Sequence, residues 1–211
     1  MHTIEWAAFR LQPGVTVDAL RQASQQMQAQ FLSTQPGFVS RQLVALGEQR
    51  YADLVQWTTP QAAAQVMERA PQHLACAAYF GLMAAAEAPR MGEVLDQHGR
   101  PGAIGDRGDK QPGGLEFSRF RPLPGVSDAE LAAAAARTAA GLYQGEPGFQ
   151  DHLVVRNDRG EYADVMLADS AARARALCER WGTGPFHPAC QDYLALIDPS
   201  SMQIDFWQRV A

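Results

Sequence analysis

Phe9 and Phe120, Phe38 and Phe149, and Tyr51 and Tyr162 stand 111 positions apart, each pair within matching local sequence. "IEWAAFRLQPGV" at 4–15 matches "LEFSRFRPLPGV" at 115–126, and "QPGFVSRQLV" at 35–44 matches "EPGFQDHLVV" at 146–155. "RYADLVQW" at 50–57 matches "EYADVMLA" at 161–168. After Arg69 and Arg180 the second copy gains three residues, so "PQHLACAAYFGL" at 71–82 and "PFHPACQDYLAL" at 185–196 match at a spacing of 114. A spacing held over about 70 positions does not arise from composition, and the chain reads as a tandem duplication. Whatever topology one copy adopts, the other should adopt too.

Each copy then needs reading only once. Residues 3–10 alternate, with Ile4, Trp6 and Ala8 on one face and Glu5, Ala7 and Phe9 on the other, which predicts a strand. Thr16 and Ser127 are good helix N-caps, and Ser127 has Glu130 three positions on, the pattern of a capping box. The helices that follow carry apolar stripes: Leu20, Met27 and Phe31 in one, Leu131, Ala135, Thr138 and Leu142 in the other. "QPGF" and "EPGF" end them, since Pro cannot continue a helix and Gly supplies the turn. Strands 38–46 and 50–57 make a hairpin through Gly47, and the twin hairpin turns through "NDRG". An Ala-rich helix at 60–70 is matched at 170–181, the His-Cys-Tyr segment reads as a short further helix, and last strands fall near 91–96 and 202–209. The order in each copy is β-α-β-β-α-β, the ferredoxin-like motif.

A sheet with helices on one side leaves its other face bare, and the second copy is the obvious cover. The expected fold class is therefore α+β, with tandem ferredoxin-like repeats packed sheet to sheet as an intrachain α+β barrel. Residues 1–97 form the first copy, the Gly/Pro-rich stretch 98–113 a linker, and 114–211 the second copy. This pseudo-dimer within one chain leaves further homo-oligomerisation open.

Apolar residues make up 46% of the chain and charged residues 19%, enough for a buried core. The net charge of −5, with no block of Lys or Arg, argues against nucleic acid or an anionic membrane as partner. Three cysteines are too few for a disulfide framework. The opening "MHTIEWAAFRLQPG" has no basic region followed by an apolar run, so no signal peptide is expected, and no stretch has the length of a membrane span. A cytoplasmic location is the expectation.

The words "PGF" after the first helix, and "YADLVQW" followed at once by "TTPQAAAQVMERA", resemble the antibiotic biosynthesis monooxygenase family, a dimeric α/β barrel group. The resemblance covers nearly all of both copies outside the linker. It implies a cofactor-free oxygenase chemistry on a small aromatic, anthrone or quinol molecule, with no cofactor and no metal. There the deprotonated substrate itself hands an electron to dioxygen, and the protein supplies an apolar cavity, an acid-base group and a donor for the developing oxyanion. The family's aromatic residue at the end of the third strand matches Trp57, while the second copy has Ala168 there, so copy one is the expected catalytic half. Haem-degrading relatives also need a first-strand Asn and a second-helix His; the only Asn here is Asn157, in a turn, and His73 lies past the helix.

The expected roles follow from these features. Trp57 and Tyr51 shape the pocket, Asp53 or His73 manages protons, and Arg10 steadies an oxyanion. Phe9, Trp6, Tyr79, Tyr162, Asp164 and His187 are the further substrate-binding candidates. Each has a plainer alternative. Trp57 can be barrel core. Asp53 and Asp164, mid-strand among apolar neighbours, can be structural ion pairs, with Arg10 and Arg121 as the expected partners. Glu5 and Glu116 pose the same problem one strand away. The repeated "HLAC" and "HPAC" place His and Cys three apart, a spacing metals use, but one pair supplies only two ligands and duplication already accounts for both. A non-catalytic barrel that binds a hydrophobic molecule or serves as an assembly subunit is the rival from another class. A metal- or haem-binding protein is the third.

Overall fold

A computed structural model describes residues 2–47, 49–99, 113–182 and 184–210. Most of the expected linker, 100–112, lies outside the described residues. The chain forms two compact units, Met1–Met91 with Val210–Ala211, and Gly92–Arg209.

The first unit runs β1 (Thr3–Leu11), α1 (Val17–Gln30), β2 (Phe38–Leu46), β3 (Arg50–Trp57), α2 (Pro60–Arg69), α3 (Leu74–Phe80) and β4 (Met83–Ala86). Antiparallel pairing gives the strand order β4-β1-β3-β2, the ferredoxin-like arrangement. Thr16 caps α1 by accepting from Ala19 N, and Thr59 caps α2 by accepting from Ala62 N. The repeated "PGF" has a steric cause. Gly37 holds φ +80, and a Cβ there would stand 2.5 Å from that of Ala62, so only glycine lets β2 leave so close to α2. Leu20, Met27, Phe31, Val66 and Tyr79 form the core with the inner face of the sheet.

The second unit runs β5 (Arg90–Gly99), β6 (Gly114–Phe120), α4 (Asp128–Thr138), β7 (Phe149–Asn157), β8 (Tyr162–Ala168), α5 (Ala171–Cys178), α6 (Pro188–Leu194) and β9 (Gln203–Arg209). Its order β9-β6-β8-β7 repeats that of the first unit, and β5 adds a fifth strand beyond β7. Ser127 and Glu130 make the expected capping box. The expected stripe of Leu131, Ala135, Thr138 and Leu142 is buried, its last turn widened to a π-helix at Ala139–Tyr143. Both units also carry one aromatic triad: Phe9 stacks on Tyr51 and meets Tyr79 edge-on, and Phe120 stacks on Tyr162 and meets Tyr193 edge-on.

The strand expected near 91–96 pairs with β7, from Gly92 opposite Asn157 to Gly99 opposite Asp151, and so belongs with the second unit. β4, a strand the alternation pattern does not mark, also pairs with β1, from Phe9 opposite Ala86 to Leu11 opposite Met83. Periodicity locates strands but does not choose their partners. The fold class is α+β, built of tandem ferredoxin-like repeats.

Candidate functional site

Three neighbouring strands of the first unit set out the site. Glu5 of β1 and Arg41 of β2 are both registered to Val55 of β3, so the three residues form one row across the sheet. Asp53 and Trp57 lie two residues to either side of Val55, on the same face because strand side chains alternate. This face borders a cavity of about 410 Å³. Its polar lining is Glu5, Arg41 and Asp53 with the half-exposed Glu87, which faces Arg50 and Arg90; Trp57, Phe9, Met27, Phe31, Val66 and Phe80 are among its apolar lining. The volume falls in the range of about 300–1,000 Å³ usual for small-molecule sites.

The polar wall is tightly arranged. Arg41 Nη2 lies 2.6 Å from Asp53 Oδ1, with the two side chains only 4% and 10% exposed. Arg41 Nη1 donates to Ser24 Oγ at 2.8 Å, and the guanidinium lies over the Tyr79 ring. Tyr79 donates its hydroxyl hydrogen to Asp53 Oδ2 at 3.0 Å. Burial pushes the Asp53 carboxyl up, and Arg41 pulls it back towards the charged form. Trp57 Nε1 donates to Glu5 Oε2 at 3.1 Å. Burial raises the Glu5 carboxyl above its ordinary range, opposed by that hydrogen bond. Trp57 itself is fully buried and meets Phe38 edge-on.

The candidate residues divide accordingly. Trp57, Asp53 and Phe9 line the cavity. Tyr79 reaches it through Asp53. Tyr51 lies in the core against Phe9, and Trp6 is on the other face of β1; neither is a lining residue. His73 occupies the N-cap position of α3 without a side-chain capping bond and packs 4.9 Å from Phe31, outside the lining. Arg10 is exposed and is not the partner of Asp53, and exposed Arg121 is not that of Asp164. They sit at strand ends, too far along the ladder to reach a mid-strand carboxylate. The true partners, Arg41 and His152, occupy one repeat position on the middle strands, where sequence reading passed over them. The signal was available: a basic residue recurs at that position opposite a recurring Asp.

Tyr162, Asp164 and His187 belong to the second unit, where the same design reappears. His152 Nε2 lies 2.6 Å from Asp164 Oδ1, as Arg41 does from Asp53. Glu116 stands where Glu5 does, with Ser118 Oγ donating to it at 2.5 Å in place of the tryptophan. Burial, then Asp164, raise the Glu116 carboxyl to about 7. Tyr162 donates its hydroxyl hydrogen to Asp128 at 2.6 Å. The surroundings differ. Tyr143 occupies the repeat position of Leu32, which lines the first unit's cavity, and Trp181 falls where the second copy gains three residues after Arg180. Trp181 Nε1 donates to the Tyr143 hydroxyl, Trp181 packs on Tyr193, and Tyr143 packs on His152.

The repeated His-Cys pairs are helix caps and core. His73 and His187 are N-caps of α3 and α6, and Cys76 and Cys190 are fully buried within those helices. Burial raises the Cys76 thiol to about 11, which keeps it protonated. Among the described residues no group of three or more His, Cys, Asp or Glu is placed to hold a metal ion, and no helix is long and apolar enough to cross a membrane.

No family model matches the sequence, and no curated protein matches it. Solved structures do match over the whole chain. A Fusobacterium nucleatum protein described as a monooxygenase candidate is 8% identical at a TM-score of 0.72, covering 100% of this chain and 93% of its own. An anthrone oxidase-like protein is 16% identical at 0.62, covering 100% and 92%. A Listeria monocytogenes ferredoxin-fold protein related to antibiotic biosynthesis monooxygenases is 12% identical at 0.52, covering 99% and 95%. The fold is thus that of the antibiotic biosynthesis monooxygenase-like proteins.

Proposed function

We propose that the protein is a cofactor-independent monooxygenase-like enzyme whose first unit binds a small aromatic, anthrone or quinol substrate. The observation that carries this reading is the cavity itself: aromatic and aliphatic walls around a polar group of Glu5, Arg41 and Asp53 on one sheet face. An apolar chamber strengthens the few charges it contains and keeps water from a reactive carbanion. The chemistry needs no prosthetic group. An activated methylene loses a proton, the carbanion passes an electron to dioxygen, and radical recombination gives a hydroperoxide. That collapses to a carbonyl and water, so that CH₂ and O₂ become C=O and H₂O. The likeness to an anthrone oxidase-like protein supports the same class of substrate.

The second unit retains the buried carboxylates and sets beside them the buried Tyr143 and its hydrogen-bond partner Trp181. In this reading it is the structural half of an asymmetric pair. Dioxygen uptake by the purified full-length chain with anthrone tests the proposal. Uptake with quinone formation, lost when Val66→Trp fills the first cavity, is the expected result. Uptake unaffected by that variant removes the chemistry from this cavity. Binding of anthracene without uptake of dioxygen would instead identify a carrier of hydrophobic molecules.

A further inference from the structure

Building on that oxygenase reading, we infer that Glu5 is the proton acceptor of the cavity and Arg41 its oxyanion donor, acting on opposite edges of one conjugated ring. The substrate class is then a ring ketone or quinol with its acidic hydrogen at one edge and its oxygen at the other.

Three observations carry this. Glu5 and Arg41 flank Val55 in one row, their backbones two strand spacings or about 10 Å apart, with both side chains lining the cavity. Asp53 is committed, Oδ1 to Arg41 and Oδ2 to Tyr79, whereas half-buried Glu5 accepts from Trp57 through Oε2. Arg41 is held by Asp53 and Ser24, yet its buried Nε–H has no hydrogen-bond partner among the described residues. Such a donor, fixed beside a cavity, suits a negative oxygen formed there. Trp57 is the positioning residue for Glu5.

The step balances. The Glu5 carboxylate forms an O–H bond as the substrate C–H bond breaks, and the electron pair spreads through the ring to the oxygen beside Arg41. One electron passes to dioxygen, the two radicals join as a C–O bond, and the peroxide takes the proton back from Glu5. Loss of water leaves the new carbonyl.

The test compares wild type, Glu5→Gln and Trp57→Phe in anthrone-dependent dioxygen uptake across pH. It adds the double variant Arg41→Met/Asp53→Asn, which leaves no buried charge unpaired. Glu5→Gln should lose about 100-fold or more in kcat, with KM little changed. Trp57→Phe should lower kcat less than Glu5→Gln does and move the acid limb to higher pH, because the hydrogen bond favouring the charged carboxylate is gone. The double variant should bind anionic alizarin at least tenfold more weakly while holding neutral anthracene. Uptake undiminished in Glu5→Gln overturns the proton-acceptor role and leaves the oxygenase reading standing. Equal alizarin affinity overturns the role of Arg41. No uptake by wild type overturns the oxygenase reading and this inference with it.

Discussion

Arg41 and Asp53 meet at 2.6 Å in the wall of the first cavity, and each is the reason the other can be buried. A lone carboxylate or guanidinium at that depth would lose its hydration without return. Arg41→Ala should therefore destabilise the protein by about 3–5 kcal/mol, the usual cost of leaving one member of a buried pair uncompensated. Urea unfolding measures it. Arg41→Met/Asp53→Asn should recover most of the loss, since no unpaired charge remains.

Stability should fall as pH rises from 5 to 8. Glu116 moves from an ordinary 4.5 to about 7 in the folded protein, and burial likewise raises Asp151 to about 6. A carboxyl raised on folding binds its proton more tightly in the native state. Its contribution is complete below the unfolded value and is lost as pH climbs through the folded one. For His152, burial disfavours the charge but Asp164 more than restores it, so its contribution is also present at low pH and lost as pH rises. For Glu116 alone the change amounts to about 3 kcal/mol. Urea midpoints at pH 5 and pH 8 should show the drop, and Glu116→Gln should flatten it.

Trp181→Ala should open space in the second unit. The indole packs on Tyr193 and donates to Tyr143, so its removal leaves both without that neighbour. A cost of about 3–5 kcal/mol is expected from the lost packing. Titration with anthracene should then show a second binding event absent from wild type.

Gly37→Ala should cost more than about 1 kcal/mol, because both the positive φ and the nearby Ala62 methyl oppose a side chain. Gly47→Ala, at φ +66 but with no atom within 4 Å of the added carbon, should cost less. The difference between their thermal midpoints separates close packing from backbone strain.

Much of the architecture was legible beforehand because duplication wrote it twice. Thr16 and Ser127 cap helices, and β2 and β3 have the expected limits, since these features depend on neighbours in sequence; the first helix ends at Gln30, short of the PGF turn, which instead leads into β2. The candidate site was read less completely. Trp57 and Asp53 were visible as an aromatic and a costly carboxylate on one strand. Arg41 was not, because it meets Asp53 only when β2 pairs with β3 in the observed register.

The sequence by itself determined the repeat, the order of elements and the alternation that puts Glu5 on the same face as Phe9. These are local periodicities, readable from spacing alone. Tertiary structure decided that β5 pairs with β7, which cation neutralises Asp53, and that Glu5 and Arg41 share one row with Val55. Those outcomes depend on contacts between residues distant in the chain. A change in packing, Leu32 in one copy against Tyr143 in the other, alters the surroundings of the buried carboxylates without disturbing the pattern that encodes the fold.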